Sequence, residues 1–225
     1  NSKVFRSTAV AQVDLMANLA DESLLTGLVL WRHNLSNIAT YRVQLFSGEN
    51  QTGDVMYDSG EIAAIDPISV SDWDWRVEQV TRSAFDGEPT RYTNLWLPEA
   101  LFAKSVKITI KDPSNTDGFI QMTRVYLGRD IQPDVNFNYG HKSQLNSNES
   151  QIETYGGSLH SIERKAKRQN EFVLAHLNDN DRYFYEDGMR HVGKSKDFFI
   201  SMFPGLGGKK EVRNAYGCKF VAYPS

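Results

Sequence analysis

The sequence predicts a mainly β protein carrying a smaller mixed α+β part towards its C-terminal end. Three observations carry this. Apolar residues alternate at a period of two in several short segments, the pattern of half-buried strands. Clusters rich in Gly, Asn, Asp and Pro separate those segments, as turns require. No stretch before residue 150 repeats with helical spacing.

Taken in order, Leu25–Trp31 (LTGLVLW) is an apolar run rich in strand formers. Thr40–Phe46 (TYRVQLF) turns Tyr41, Val43 and Leu45 one way and Arg42, Gln44 and Phe46 the other. Tyr92–Pro98 follows, then Ser105–Asp112, with Val106, Ile108 and Ile110 on one face, then Ile120–Gly128. SGENQTGD, AFDGEP and KDPSNTDG lie between them as turns. Many short strands with frequent turn signals predict a sandwich or barrel. Beyond residue 150, Ser158–Leu177 has no decisive period. NDNDRYFYEDGMRHVG predicts a helix: Asn178 or Asp179 can accept a backbone N–H bond at its start. Phe184, Gly188 and Val192 share a face, and Gly193 suits a C-terminal stop. Lys196–Pro204 and Ala215–Pro224 predict two more strands around the connection PGLGGKK.

Composition bounds the function. The 225 residues hold 25 Lys and Arg against 28 Asp and Glu, a net charge of −3. That excludes a globally basic nucleic-acid binder, and no nucleic-acid partner is expected. No run approaches the ~18 apolar residues of a membrane helix, so no membrane span is expected. A single cysteine forbids an intrachain disulfide and a multi-thiolate zinc site. Twelve per cent aromatic residues supply ample core.

Charge suggests a boundary. Residues 1–130 carry 12 Lys and Arg against 17 Asp and Glu, and residues 131–225 carry 13 against 11. The change falls at a polar, Asn-rich stretch holding Pro133 and Gly140. The expected organisation is a β domain over 1–130, a linker or surface segment over 131–150 and a small α+β domain over 151–225.

The motifs point away from catalysis. GLGGKK lacks the spacing and the Ser/Thr of a phosphate loop and reads as a hairpin connection. KDPSNTDG cannot be an EF-hand, because counting from Gly118 puts Pro113 first and Arg124 twelfth; it reads as a turn, with Asp112, Asn115 and Asp117 the residues a single structural Ca²⁺ would use. Cys218 lies among Tyr216, Phe220 and Ala222 as a small hydrophobe rather than a nucleophile. The five histidines show no ligand spacing. No cofactor, metal or catalytic residue is expected. The basic run Arg164–Arg168 lacks the interleaved aromatics of a nucleic-acid platform and reads as a solvated face or a positive rim at a protein contact. DWDWR (Asp72–Arg76), if extended, puts Trp73 and Trp75 on one face, for a protein interface, a core or a sugar ring.

Three stretches carry a family resemblance: Trp31–Phe46 (WRHNLSNIATYRVQLF), Tyr57–Gly60 (YDSG) and Val106–Gly128 (VKITIKDPSNTDGFIQMTRVYLG). Together with the segment that begins VNFNYGHKSQ, they resemble tail-associated minor structural proteins of tailed bacteriophages and prophages. The resemblance implies a galactose-binding-like jelly-roll β-sandwich at the N-terminus and a smaller domain that docks on tail subunits. It implies a non-enzymatic virion protein, made in the bacterial cytoplasm, whose partners are other virion or tail proteins and further copies of itself. A carbohydrate-binding module for host-surface glycan is the alternative. The residues expected at an interface or ligand site are Trp73, Trp75 and Arg76, with Trp31, His33 and Asn34 from the R-H-N-L-S strand.

Overall fold

A computed structural model describes residues 4–65, 73–76, 83–86, 88, 90–147, 150–153, 155–162, 167–206 and 208–221. Contacts divide the chain into two units, residues 1–130 with 192–225, and residues 131–191. The chain is mainly β.

The first unit holds a seven-stranded antiparallel sheet. Its strands are β1 (Phe5–Arg6), β2 (Val13–His33), β3 (Thr40–Phe46), β4 (Val55–Asp58), β5 (Ile62–Ala63), β6 (Tyr92–Lys111) and β7 (Gln121–Gly128). The order is β1-β7-β2-β6-β3-β4, with β5 also on β3. Two long strands organise everything: β2 has 21 residues and β6 has 20. Their mutual register breaks between Asn18 and Ser23 and again between Leu25 and Gly27. These breaks divide the sheet. On one side β3 and the N-terminal part of β2 flank residues 105–111 of β6; on the other β7 and residues 92–96 of β6 flank the C-terminal part of β2. Bulges bend strands and raise twist. Here the two halves share one core, because Leu28, Leu30 and Met122 of one half cluster with Tyr41, Val43, Leu45, Ile108 and Ile110 of the other. The result is sandwich-like.

Local chemistry explains the breaks. Pro98 cannot donate to a ladder, and it falls in the gap between the Trp96 and Leu101 pairings, where no donation is needed. Gly27 sits beneath the indole of Trp96; a Cβ there would lie 2.6 Å from Cε3, so any other residue would have to displace the ring.

Alternation along β2 feeds a second core. Leu28 and Leu30 face the first, while Val29 and Trp31 face outward to Ile65, Phe85, Tyr92 and Ala215. That outer face is covered from the far end of the chain. Strands β12 (Phe198–Ser201) and β13 (Ala215–Cys218) pair antiparallel, joined through the short helix α2 (Gly208–Arg213). Phe199 reaches the rings of Trp31 at 5.6 Å and Tyr92 at 5.4 Å. The span 151–225, expected as one domain, is thus divided: its last 34 residues belong to the first unit because their aromatic and apolar side chains close its outer core. The expected hairpin connection is partly helical, since KKEVR holds good helix formers. Residues 207 and 222–224 lie outside the described residues.

The second unit contains β8 (Lys142–Asn146), β9 (Ser150–Glu153), β10 (Leu159–Ile162), β11 (Lys167–Glu171) and most of helix α1 (Asp179–Val192). Strand β8 pairs with β11 and β9 with β10, one antiparallel pair enclosing the other in sequence. The segment 131–150, expected as a linker or surface segment, supplies strand β8, which is exposed throughout. Helix α1 runs as its sequence predicts. Asn178 is the cap: its Oδ1 accepts the Asp181 N–H at 2.7 Å, and its carbonyl accepts from Arg182 N–H at 2.9 Å. Gly193 follows with φ +59°. Ile131 packs where a Cβ of Gly188 would stand.

Candidate functional site

One end of the first unit is a laced polar cleft. The loop after β2 and the turn between β6 and β7 meet there, although Asn34 and Asp117 are 83 residues apart in sequence. Asn34 spends its whole amide on this junction. Its Nδ2 donates to Asp117 Oδ2 (2.8 Å) and the Phe119 carbonyl (2.9 Å), and its Oδ1 accepts the Gln121 N–H (2.7 Å). Asp112 is fully buried. Its carboxylate accepts from the Ser36 N–H (2.8 Å), the Ser36 hydroxyl (2.5 Å) and Asn115 Nδ2 (3.0 Å). Asn115 in turn shapes the turn by accepting the Asp117 N–H at 3.0 Å, and Gly118 supplies φ +73°. Donors occupy the oxygens of Asp112, so KDPSNTDG works as a hydrogen-bonded turn. Among the described residues no group of three or more His, Cys, Asp or Glu could hold a metal ion.

Arg91 closes the cleft. Its guanidinium donates to the Leu35 carbonyl (2.9 Å), Asn37 Oδ1 (3.2 Å) and Asp86 Oδ1 (3.0 Å). The cavity holds about 380 Å³, with Asn37, Arg91, Ser114 and Thr116 among its lining. It is polar and shallow, and its amides, carboxylates and guanidinium are directed into the loops that form it.

The expected site residues separate. Asn34 is in the cleft wall. Trp31 is buried in the outer core, its ring 5.7 Å from Tyr92. His33 is 6% exposed. The Leu35 N–H donates to its Nδ1 (3.3 Å), which leaves the proton on Nε2, donated to Thr93 Oγ1 (3.0 Å); the Thr93 hydroxyl donates onward to the Ala64 carbonyl. Burial pushes the imidazole down to about 3, so it stays neutral. Trp73 and Trp75 do not form a matched pair. A turn at Trp75 and Arg76, closed by the Arg76 N–H donating to Asp74 Oδ1 (3.1 Å), breaks the extended alternation on which that expectation rested. Trp73 is half-buried and Trp75 is 73% exposed, with the Arg76 guanidinium 5.8 Å from its ring. Asp72 lies outside the described residues.

Burial, reinforced by the Asp197 charge, pushes the Cys218 thiol up to about 12. A thiol so raised is no nucleophile at neutral pH.

The nested strand pairs of the second unit are the other feature. Every residue of β8, β9 and β10 is exposed, and in β11 only Asn170 is half-buried. Leu145, Ile152, Leu159 and Ile162 stand 50–67% exposed. Cross-strand register places Ile152 opposite His160 and Ile162 opposite Ser150, so both isoleucines share a face. Among the described residues each of these strands has one neighbour, and its other edge is open. Single-sequence reading misses these strands because neither face is buried. The basic run Arg164–Arg168 ends on β11, while residues 164–166 lie outside the described residues.

Comparison with protein-family models, with curated proteins and with solved structures finds no match to this chain. Among the described residues no helix is long and apolar enough to cross a membrane.

Proposed function

We propose that this chain is a non-enzymatic minor structural protein of a tailed-phage or prophage virion, tail-associated, acting through protein–protein assembly. The observation that carries the reading is the pair of nested two-stranded elements β8–β11 and β9–β10, which among the described residues are exposed on both faces and open at both edges. An isolated two-stranded hairpin is marginal in water. Unpaired edges are templates for strand pairing. A segment so built gains stability from a neighbour, which is what an assembling subunit requires. The resemblance of Trp31–Phe46 and Val106–Gly128 to tail-associated proteins names the class of assembly. The same reading takes the first unit as a galactose-binding-like jelly roll, supported by two bent sheet halves around one core.

Glycan attachment is less well supported. Its natural place would be the cleft, but Asn34, Asp112, Asn115 and Arg91 direct their hydrogen bonds inward. The half-buried Trp73 and exposed Trp75 do not make a flat stacking platform.

The test is particle association. Virions purified on a density gradient from an induced host should contain the chain at a fixed ratio to tail proteins, with immunogold label on tails. Recovery of the chain only in the soluble fraction, in a lysate rich in particles, would refute the assignment.

A further inference from the structure

We infer that a second copy of this chain pairs across the open edge of β11, antiparallel and centred on Gln169. The inference rests on the assembly reading for its purpose, and on the sequence and register of β11 for its geometry. Strand β11 is Lys167-Arg168-Gln169-Asn170-Glu171, and its only neighbour among the described residues is β8. A two-fold interface is self-complementary: if residue i meets j, then j meets i. An antiparallel pairing about Gln169 sets Lys167 against Glu171 of the other copy, twice, Arg168 against Asn170, twice, and Gln169 against itself.

Three features single out this register. Each pair joins residues of the same parity, so backbone groups directed outward in one copy meet groups directed outward in the other, as an antiparallel ladder requires. Opposite charges directly across a strand pair attract and like charges repel. A parallel pairing in register would set Lys167 on Lys167 and Glu171 on Glu171; an antiparallel shift of two residues would set Arg168 on Arg168 in one direction and Glu171 on Gln169 in the other. Charged edges normally keep sheets apart; here the charges of Lys167 and Glu171 favour the antiparallel arrangement over the parallel one. Finally, the in-chain register continues the pattern. Within one copy Glu171 is opposite Lys142 and Gln169 is opposite Gln144. The four-stranded sheet β8-β11-β11-β8 would therefore carry, on one face, a row of Gln144, Gln169, Gln169 and Gln144. On either side of it would run Lys142, Glu171, Lys167 and Asn146. The edge of β8, Lys142-Ser143-Gln144-Leu145-Asn146, has no acidic residue to answer Lys142 and offers no such symmetry.

A five-residue edge is a small contact, so covalent trapping reads it best. Residue 169 lies on the two-fold, and opposed side chains in an antiparallel pair bring their Cβ atoms to ~4.5–5.5 Å, near disulfide range. The full-length Gln169→Cys variant should form a disulfide-linked dimer under mild oxidation, and Gln144→Cys, on the far strand, should not. Adding Lys167→Glu to Gln169→Cys sets carboxylate against carboxylate at both ends and should slow trapping by about tenfold. In-chain, Lys167 is opposite Asn146, so this change adds no repulsion within the hairpin. A second Gln169→Cys variant with Lys142→Glu and Glu171→Lys keeps its in-chain pair but sets ammonium against ammonium between copies. Alone it should also trap slowly. Mixed with the protein carrying Lys167→Glu it should restore trapping as a heterodimer. There the carboxylate introduced at position 167 of one copy meets the ammonium introduced at position 171 of the other, and the native Glu171 of the first meets the native Lys167 of the second. Absence of the Gln169→Cys dimer, equal trapping at position 144, or no rescue on mixing would overturn the inference. Each of those results leaves particle association unaffected, so a failure here and a failure of the virion reading are read separately.

Discussion

His33 couples stability to pH, and the coupling can be worked out in advance. In the folded chain its imidazole is held near 3 by burial, against 6.5 in the unfolded chain. The native state therefore releases a proton that the unfolded state keeps between those values. Stability from this group is fully present above about pH 6.5 and is lost as pH falls towards 3. At about 1.4 kcal/mol per pH unit beyond the unfolded pKa, the loss from pH 7.5 to 4.5 is about 2–3 kcal/mol. The group is almost wholly buried, so no solvent discount applies. Urea unfolding of wild type and His33→Gln across this range checks it. The variant is less stable at pH 7.5, because the Leu35 N–H loses its acceptor, at ~1–3 kcal/mol, yet its stability should fall less on acidification. The difference between the two curves isolates His33 from the carboxylates. Asp58, for example, held well below the usual carboxylate range by hydrogen bonding from Arg42, is common to both. Parallel pH curves, or a native His33 resonance that titrates near 6.5, would refute the reasoning.

Asp112→Ala leaves the Ser36 N–H and Asn115 Nδ2 without their buried acceptor; at ~1–3 kcal/mol per donor it should cost about 3 kcal/mol in thermal unfolding, and a loss under 1 kcal/mol would contradict the cleft's hydrogen-bond network. Cys218 should resist a thiol reagent at pH 8 in the folded chain and react at once in denaturant, and Cys218→Ser should leave particle association intact. Proteolysis confined to residues 131–191 should leave 1–130 and 192–225 co-eluting on gel filtration, because Phe199 and Ala215 remain packed with Trp31 and Tyr92; release of the 192–225 fragment under native conditions would contradict the shared core.

The parts of the fold legible in the sequence are those with one buried face. Thr40–Phe46 alternates because Tyr41, Val43 and Leu45 enter the core while Arg42 faces solvent, and it is β3 residue for residue. The N-terminal half of β2 was not legible, since ANLADES dilutes the alternation of Val13, Leu15 and Leu19 with outward polar residues. Tyr92–Pro98 and Ser105–Asp112 read as two strands because a proline stops a ladder; they are one strand, because Pro98 falls where the ladder is already broken. Both sides of the cleft, Asn34 and the turn over 112–117, stood out as residues. Their meeting depends on β2, β6 and β7 lying side by side, and that is a matter of topology. Arg91 and Ser36 carried no signal of their own, for an arginine and a serine are recognised only by what they bond.

The two units treat strand edges in opposite ways, and this contrast gives the hairpin its meaning. The large sheet ends in β1, two residues long, and β4, four residues long. Beside β1, the Arg6 guanidinium lies 3.4 Å from the centroid of the Phe119 ring, and on β4 Asp58 is tied to Arg42 of β3. Short edge strands and paired charges are the usual means of preventing sheets from adding to one another. Strands β8 and β11 are longer, at five residues each, and the register sets Lys167 opposite Asn146 rather than opposite an acid. A chain that blunts one sheet and leaves another open has not left all its edges to chance. The charges of β11 then serve as selectors of the pairing strand, which is why inverting their sign in one copy and compensating it in another is the decisive perturbation.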